Sequence, residues 1–357
     1  MAESAFISQL LHDPIANYPA ATVACFDPTR GELPRRQLDG ARTVAFLERL
    51  ASAGAPALLL AASTGHGHLR TLAELEEWLR AAARANLGKT VKMALLRPED
   101  GREANARLVG LLAELNYPIV FIRPGTNLPA DACEQAVAQN MRPLVELAAE
   151  HHLATGLYSI PDVSGVPMTP DAAAELLGGP GGERIVAIKV TEASYENSTA
   201  KFLDDPRLAH LKIVQGWDPH LARALQDGPR HDLTRRQRCG VTSGPMSFAV
   251  YQYLHILAAA ERGDWAETAA AQAAVTTLFS SMQDDPRKFA DLQRAKQIMG
   301  LGQPLLATVS PEQVERVFTA LATVPRPADR ARLARSLDLL EDGPYHERLR
   351  RLVDDNA

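Results

Sequence analysis

Two periods of apolar residues alternate along the chain. Short apolar runs of strand length stand at TVACF (22–26), APALLLAAS (55–63), TVKMALL (90–96), PIVFI (118–122), ATGLYSI (154–160), RIVAIKV (184–190), LKIVQG (211–216) and CGVTS (239–243). Between them lie longer stretches with apolar residues every three or four positions, such as LDGARTVAFLERLASAG, TLAELEEWLRAAARANLG, EANARLVGLLAELN and ACEQAVAQNMRPLVELAAEHH. That spacing predicts amphipathic helices. The punctuation agrees: Thr71 stands three before Glu74, Thr169 precedes Pro170, and Gly54 and Gly88 follow helix ends. Eight βα units closing on themselves predict an α/β fold of the TIM (β/α)8 barrel type. An open doubly wound sheet would have fewer strands and a glycine-rich first turn, which the chain lacks.

Beyond the eighth run the pattern stays helical, through MSFAVYQYLHILAAAERGD, WAETAAAQAAVTTLFSSM, RKFADLQRAKQIMGLG, PEQVERVFTALATV and ADRARLARSLDLLEDG. The expected organisation is a barrel over residues 1–260 and a C-terminal helical extension over 261–357, with VPRPAD (324–329) as a loose tether before the last helix.

One strand breaks its own pattern. In RIVAIKV, alternation puts Lys189 on one face with Ile185 and Ala187, and Val186, Ile188 and Val190 on the other. A strand-end lysine ordinarily extends its ammonium to water over an apolar stem, so its neighbours must decide what it does. In a barrel the chemistry gathers at the carboxyl ends of the strands. The second strand ends in Ser63, Thr64, Gly65, His66, Gly67 and His68, the fifth in Tyr158, Ser159, Ile160 and Pro161, and the sixth in Lys189, Val190 and Thr191. Adjacent strands lie about 4.8 Å apart, so the Tyr158 phenol could reach a ligand bound to the Lys189 amine. An amine kept from water loses its proton more readily and becomes a nucleophile able to condense with a ketone.

Composition narrows the context. The chain has 357 residues, 46% of them apolar and 23% charged, with a net charge of −5 and no basic run interleaved with aromatics. Nucleic acid is therefore not an expected partner. The first residues lack a basic segment followed by a long apolar one, and no 18-residue apolar span occurs, so no membrane association is expected and the location read from the sequence is cytoplasmic. Three widely spaced cysteines, Cys25, Cys133 and Cys239, fit reduced thiols buried as small hydrophobes.

The motif order carries a family resemblance. Ser-Thr-Gly (63–65) after the second strand, Tyr-x-x-Pro-x-x-Ser-Gly (158–165) after the fifth, Ile-Lys (188, 189) in the sixth, Gln-Gly-Trp-Asp (215–218) after the seventh and Gly-Val-Thr-Ser (240–243) in the eighth resemble the dihydrodipicolinate synthase and N-acetylneuraminate lyase family, in register over roughly residues 20–280. The resemblance implies a class I aldolase in which Lys189 forms a Schiff base with pyruvate or another 2-keto acid and Tyr158 moves the proton. It also implies that Ser63, Thr64, Gly65, His66, Thr191, Gly216 and Ser243 line the substrate site. No cofactor and no metal is implied, and a homodimer or homotetramer is the expected assembly.

The departures from the family pattern are specific. His66 stands where a glutamate usually follows Thr-Gly, and Ala62 replaces the motif's first glycine. FIRPGTN (121–127) lacks the second relay tyrosine of the synthase branch, and Val163 stands where that branch keeps an arginine for a second carboxylate. These losses argue against dihydrodipicolinate synthesis. The PDVSG turn and Thr191 lie closer to the sugar-acid aldolases. Two other readings stay open. His66 and His68 have the His-x-His spacing of a metal-dependent hydrolase, although the later strand ends offer Tyr158, Gly216 and Ser243 rather than further ligands. A barrel that binds a 2-keto acid without turning it over would keep the same motifs. Arg123, at the end of the fourth strand, either meets a substrate anion or faces water. Asp218 orients a hydroxylated substrate or caps the helix that Pro219 opens.

Overall fold

The computed structural model describes residues 4–283, 289 and 292–354. Its eight parallel strands are β1 (Ala21–Ala24), β2 (Ala57–Leu60), β3 (Val91–Leu96), β4 (Ile119–Ile122), β5 (Ala154–Ser159), β6 (Ile185–Val190), β7 (Lys212–Gln215) and β8 (Cys239–Ser243). They close into a barrel in the order β1-β8-β7-β6-β5-β4-β3-β2, with helices between successive strands. All eight expected strands are present. Each is shorter than or equal to its run, the flanking residues going into the turns before or after it. By internal contacts the chain divides into two compact units, Met1–Ala21 with Val91–Thr242, and Thr22–Thr90 with Ser243–Ala357.

In the first unit β3 to β7 pair in strict sequence. Ile122 stands opposite Leu157, Tyr158 opposite Lys189, and Lys189 opposite Val214. These strands are buried along almost their whole length, which is why they read as near-continuous Val, Ile, Leu and Ala runs rather than as clean alternation. At the amino ends of β7 and β8 two buried cations are satisfied by backbone. Lys212 Nζ donates to the carbonyls of Ile15 and Gln237 at 3.3 and 2.6 Å. Arg238 donates to the carbonyls of Phe202, Leu203, Leu208 and Leu211. The long segment 228–238 thus ends in an anchor that ties four carbonyls.

In the second unit β1 pairs with β2, Val23 opposite Leu58. Helix Leu72–Arg84 opens with the expected capping box of Thr71 and Glu74. The C-terminal part folds into helices Met246–Glu261, Trp265–Ser280, Gln293–Ile298, Pro311–Thr323, Pro327–Leu337 and His346–Asp354. The helix expected from Arg287 is described only from Gln293, because residues 287, 288, 290 and 291 lie outside the described residues. The extension packs around buried Asp329, which accepts from Gln252 Nε2 at 2.9 Å and from Arg326 and Arg332, each at 2.5 Å. Among the described residues no helix is long and apolar enough to cross a membrane.

Two expectations need correction. Cys25 and Cys239 are buried, but Cys133 is exposed, because it occupies the N-cap position of helix Glu134–Glu150. Asp218 is not a cap: Trp217 holds that position and Asp218 begins the short turn Asp218–His220.

Candidate active site

All six residues of β6 are buried, and Lys189 is only 4% exposed. The barrel face that carries Ile185 and Ala187 therefore holds its amine away from water, and the lysine does not reach solvent. Among the described residues Lys189 makes no ion pair. Its Nζ stands over the Tyr158 ring, 4.1 Å from the centroid. Burial drives its pKa from the ordinary lysine range down to about 7, while the field of Asp218 opposes that shift. An ammonium over an aromatic face gains some attraction, but much less than full hydration provides. A large part of the Lys189 population is therefore neutral near pH 7.

Tyr158, one strand away and in register with Lys189, is equally buried. Its hydroxyl lies 3.1 Å from Thr191 Oγ1. Burial pushes the phenol's pKa upward. Thr191 and the Arg123 guanidinium favour the phenolate, and Asp218 and Asp162 oppose it. The tyrosine is thus a proton donor at neutral pH, with a hydroxyl beside it that can exchange protons.

Gly216 completes this group of residues. Its N–H donates to the Val190 carbonyl at 2.7 Å. A Cβ there would overlap Thr191 Oγ1 and press on Lys189 Cε at 3.0 Å. No other residue type leaves room for the lysine stem and the threonine hydroxyl together. Just before it, Gln215 Oε1 accepts from Thr199 at 2.7 Å and its Nε2 donates to the Trp217 carbonyl at 3.1 Å, which fixes the backbone that carries Asp218. On the outer side of β5, Ser159 donates to Glu192 at 2.6 Å and accepts from the Met168 amide at 2.9 Å, fastening the PDVSG turn. The first unit therefore brings together Lys189, Tyr158, Thr191 and Gly216 from the expected site residues.

The second unit holds the remaining ones. Ser63–Gly65 form a 3-10 turn directly after β2, and His66 follows in the left-handed region at φ 54°. Ser63, Thr64 and His66 are buried. The Ser63 hydroxyl and His66 Nδ1 have no partner among the described residues. Gly65 admits no side chain, since a Cβ would overlap Trp78 and lie 2.6 Å from the Cys25 carbonyl. Burial lowers the His66 pKa to about 4, Asp27 opposing and Lys296, His68 and Arg70 reinforcing, so the imidazole is neutral at physiological pH. The Ser243 hydroxyl is engaged by its own unit: it donates to Tyr253 at 2.9 Å and accepts from the Met246 amide at 3.1 Å. His66 and His68 have ring centroids 6.1 Å apart, and among the described residues no group of three His, Cys, Asp or Glu is placed to hold a metal.

Sequence reasoning missed the charged cluster behind this loop. Asp27, fully buried, accepts from Lys296 Nζ at 3.0 Å and from Arg70, and Gln293 Nε2 donates to the Thr64 carbonyl at 2.6 Å. Asp27 before Pro28 reads as a turn, and Lys296 in a charged helix reads as solvated. Nothing in either local pattern signals that the two meet across 269 positions.

No protein-family model matches the chain, and no curated protein matches it in sequence. Solved structures do match in fold. A two-residue variant of 2-keto-3-deoxygluconate aldolase from Sulfolobus solfataricus aligns at TM-score 0.70 and 15% identity, over 86% of this chain and 96% of that one. A sialic acid aldolase from Ruminococcus gnavus, a catalytic lysine mutant, aligns at TM-score 0.71 and 15% identity, over 86% and 95%. A dihydrodipicolinate synthase from Bacillus anthracis aligns at TM-score 0.69 and 17% identity, over 87% and 99%. At these identities the likeness establishes the fold.

Proposed function

We propose that the chain is a Schiff-base-forming aldolase of the dihydrodipicolinate synthase and N-acetylneuraminate lyase family, acting in the cytoplasm on a small 2-keto acid, as a lyase on a sugar-acid-like substrate rather than as a dihydrodipicolinate synthase. One observation carries this reading: a buried amine, in large part neutral near pH 7, standing over the ring of a buried tyrosine. In the reaction, Lys189 Nζ attacks the keto carbon. The carbinolamine oxygen takes a proton from Tyr158 and leaves as water, and the nitrogen lone pair closes the C=N bond. The iminium then accepts the electron pair of the C3–C4 bond when that bond breaks, or supplies it as an enamine when the bond forms. The resemblance assigns the carboxylate to Ser63 and Thr64. Asp218 is suited to a substrate hydroxyl. The assembly that goes with this reading is a homodimer or homotetramer, to be read from the mass in solution.

Borohydride reduction in the presence of pyruvate and a panel of 2-keto acids tests the reading directly. One covalent adduct is expected, mapped to residue 189 by peptide mass and absent in Lys189→Ala. Folded protein that traps none of the panel overturns it, and adduct formation without turnover of any sugar acid reduces the function to binding.

A further inference from the structure

The residue at the carboxyl end of β4 is Arg123, in the segment where the resemblance leads one to look for a second relay tyrosine. Ile122, the last residue of β4, stands opposite Leu157, and Tyr158 stands opposite Lys189, so Arg123, one residue past the strand, continues the row of Tyr158 and Lys189. Arg123 is 1% exposed, so the water-facing reading of it is wrong. Its Nη1 donates to the Pro124 carbonyl at 2.7 Å and to Glu99 Oε2 at 3.2 Å, and its Nη2 also donates to Glu99. Its Nε, buried, has no acceptor among the described residues. A guanidinium cannot give up its proton in a protein, so this row carries a permanent positive charge. The Glu99 side chain keeps 21% of its surface in water, which screens its charge more than that of Arg123. The tie of the 97–101 turn to the strand uses Nη1 and Nη2 and leaves the buried Nε as a spare donor.

We propose that Arg123, fixed by Glu99, is a positioning residue for the proton chemistry of Tyr158: it stabilises the phenolate left each time Tyr158 gives its proton away, a task the family's second tyrosine would otherwise share. The inference rests on the function proposed above and deepens it. When the carbinolamine oxygen leaves as water, the Tyr158 O–H bond breaks and a negative charge stays on the phenolate while the nitrogen becomes an iminium. The phenolate regains a proton later from the substrate. Of the groups that act on this oxygen, Thr191 and Arg123 favour its anionic form, Asp218 and Asp162 oppose it, and Lys189 stands over the ring.

The test replaces Tyr158 by 3,5-difluorotyrosine, whose phenol titrates lower than tyrosine's, and follows its absorbance in the full chain against a Tyr158→Phe background. Arg123→Met is expected to move the titration up by about one unit, whereas Arg123→Lys keeps it near that of the parent. Removing Arg123 alone strands a partly buried Glu99 and endangers folding. Glu99→Gln with Arg123→Met covers that case and should show the same upward shift. An unchanged titration in the methionine variants would reduce Arg123 to a structural tie. In parallel, the rate of pyruvate trapping at Lys189 is expected to fall about tenfold in Arg123→Met and to return in Arg123→Lys. If the unaltered protein traps no 2-keto acid, the proposed function fails while the phenol titration still decides the role of Arg123.

Discussion

Desolvation sets the reactivity of Lys189, and Asp218 moderates it. The sign of the pH dependence follows. Only the neutral amine attacks a ketone, so the rate of adduct formation should climb as pH rises through about 7 and then level off; an unperturbed lysine would keep gaining rate up to its ordinary range. Trapping rates measured from pH 5.5 to 9 decide between the two, and a rate still rising tenfold per unit above pH 8 would place the amine in water. Tyr158 gives a second residue-scale expectation. Tyr158→Phe keeps the ring under Lys189 and removes only the hydroxyl that lies beside Thr191. Affinity for a 2-keto acid should stay nearly unchanged while turnover drops about 10² to 10⁴-fold, the usual worth of a positioned acid or base. Unchanged turnover in this variant would return Tyr158 to the core.

At the scale of elements, three neighbouring strands do the placing: β5 brings Tyr158, β6 brings Lys189 and, one residue past its end, Thr191, and the turn after β7 brings Gly216. Gly216→Ala tests how tightly they meet, because the added methyl can be housed only by moving the Thr191 hydroxyl and the lysine stem. A loss of about 1–3 kcal/mol in stability is expected, together with a slower adduct at Lys189, measured by urea unfolding and by trapping. A variant that traps pyruvate at the parental rate would show that the lysine has slack. The strands themselves were legible because a parallel barrel buries both faces of each one and so writes it as an apolar run bounded by turn residues. Lys189 and Tyr158 were legible because they interrupt such runs at the end where barrels do chemistry. What could not be read depends on pairing across distance. The burial of Arg123 needs Glu99, 24 positions away, and the Asp27–Lys296 pair joins the turn after β1 to a C-terminal helix. Helix His346–Asp354 carries its apolar residues, Leu349, Leu352 and Val353, at helical spacing, but the segment is short and otherwise charged, and so was not legible as a helix.

For the molecule as a whole, buried amines link stability to pH on the alkaline side of neutrality. Burial lowers Lys189 to about 7, and Lys212 and Lys296 to about 8 each. A lysine whose folded pKa lies below its unfolded value of 10.5 holds fewer protons in the folded state between those two values. In that window the unfolded chain binds more protons, so stability rises with pH; below the folded pKa the full cost of charging a buried amine is present. The three lysines differ in what meets that cost. Lys212 donates to two carbonyls and Lys296 to the carboxylate of Asp27, whereas Lys189, among the described residues, meets the Tyr158 ring and the field of Asp218 without an ion pair. Lys189→Met should therefore stabilise the chain at pH 7, by on the order of 2–4 kcal/mol, with the gain shrinking toward zero as pH approaches 10.5. Lys296→Met should destabilise it at neutral pH by about 3–5 kcal/mol, because the fully buried Asp27 then loses one of the two cations that pair with it among the described residues. Urea unfolding of both variants at pH 7 and pH 10 separates the cases. If Lys189→Met lost stability at pH 7 as Lys296→Met does, the amine near the end of β6 would be a structural one, and a desolvated nucleophile would no longer explain why a lysine stands on that strand.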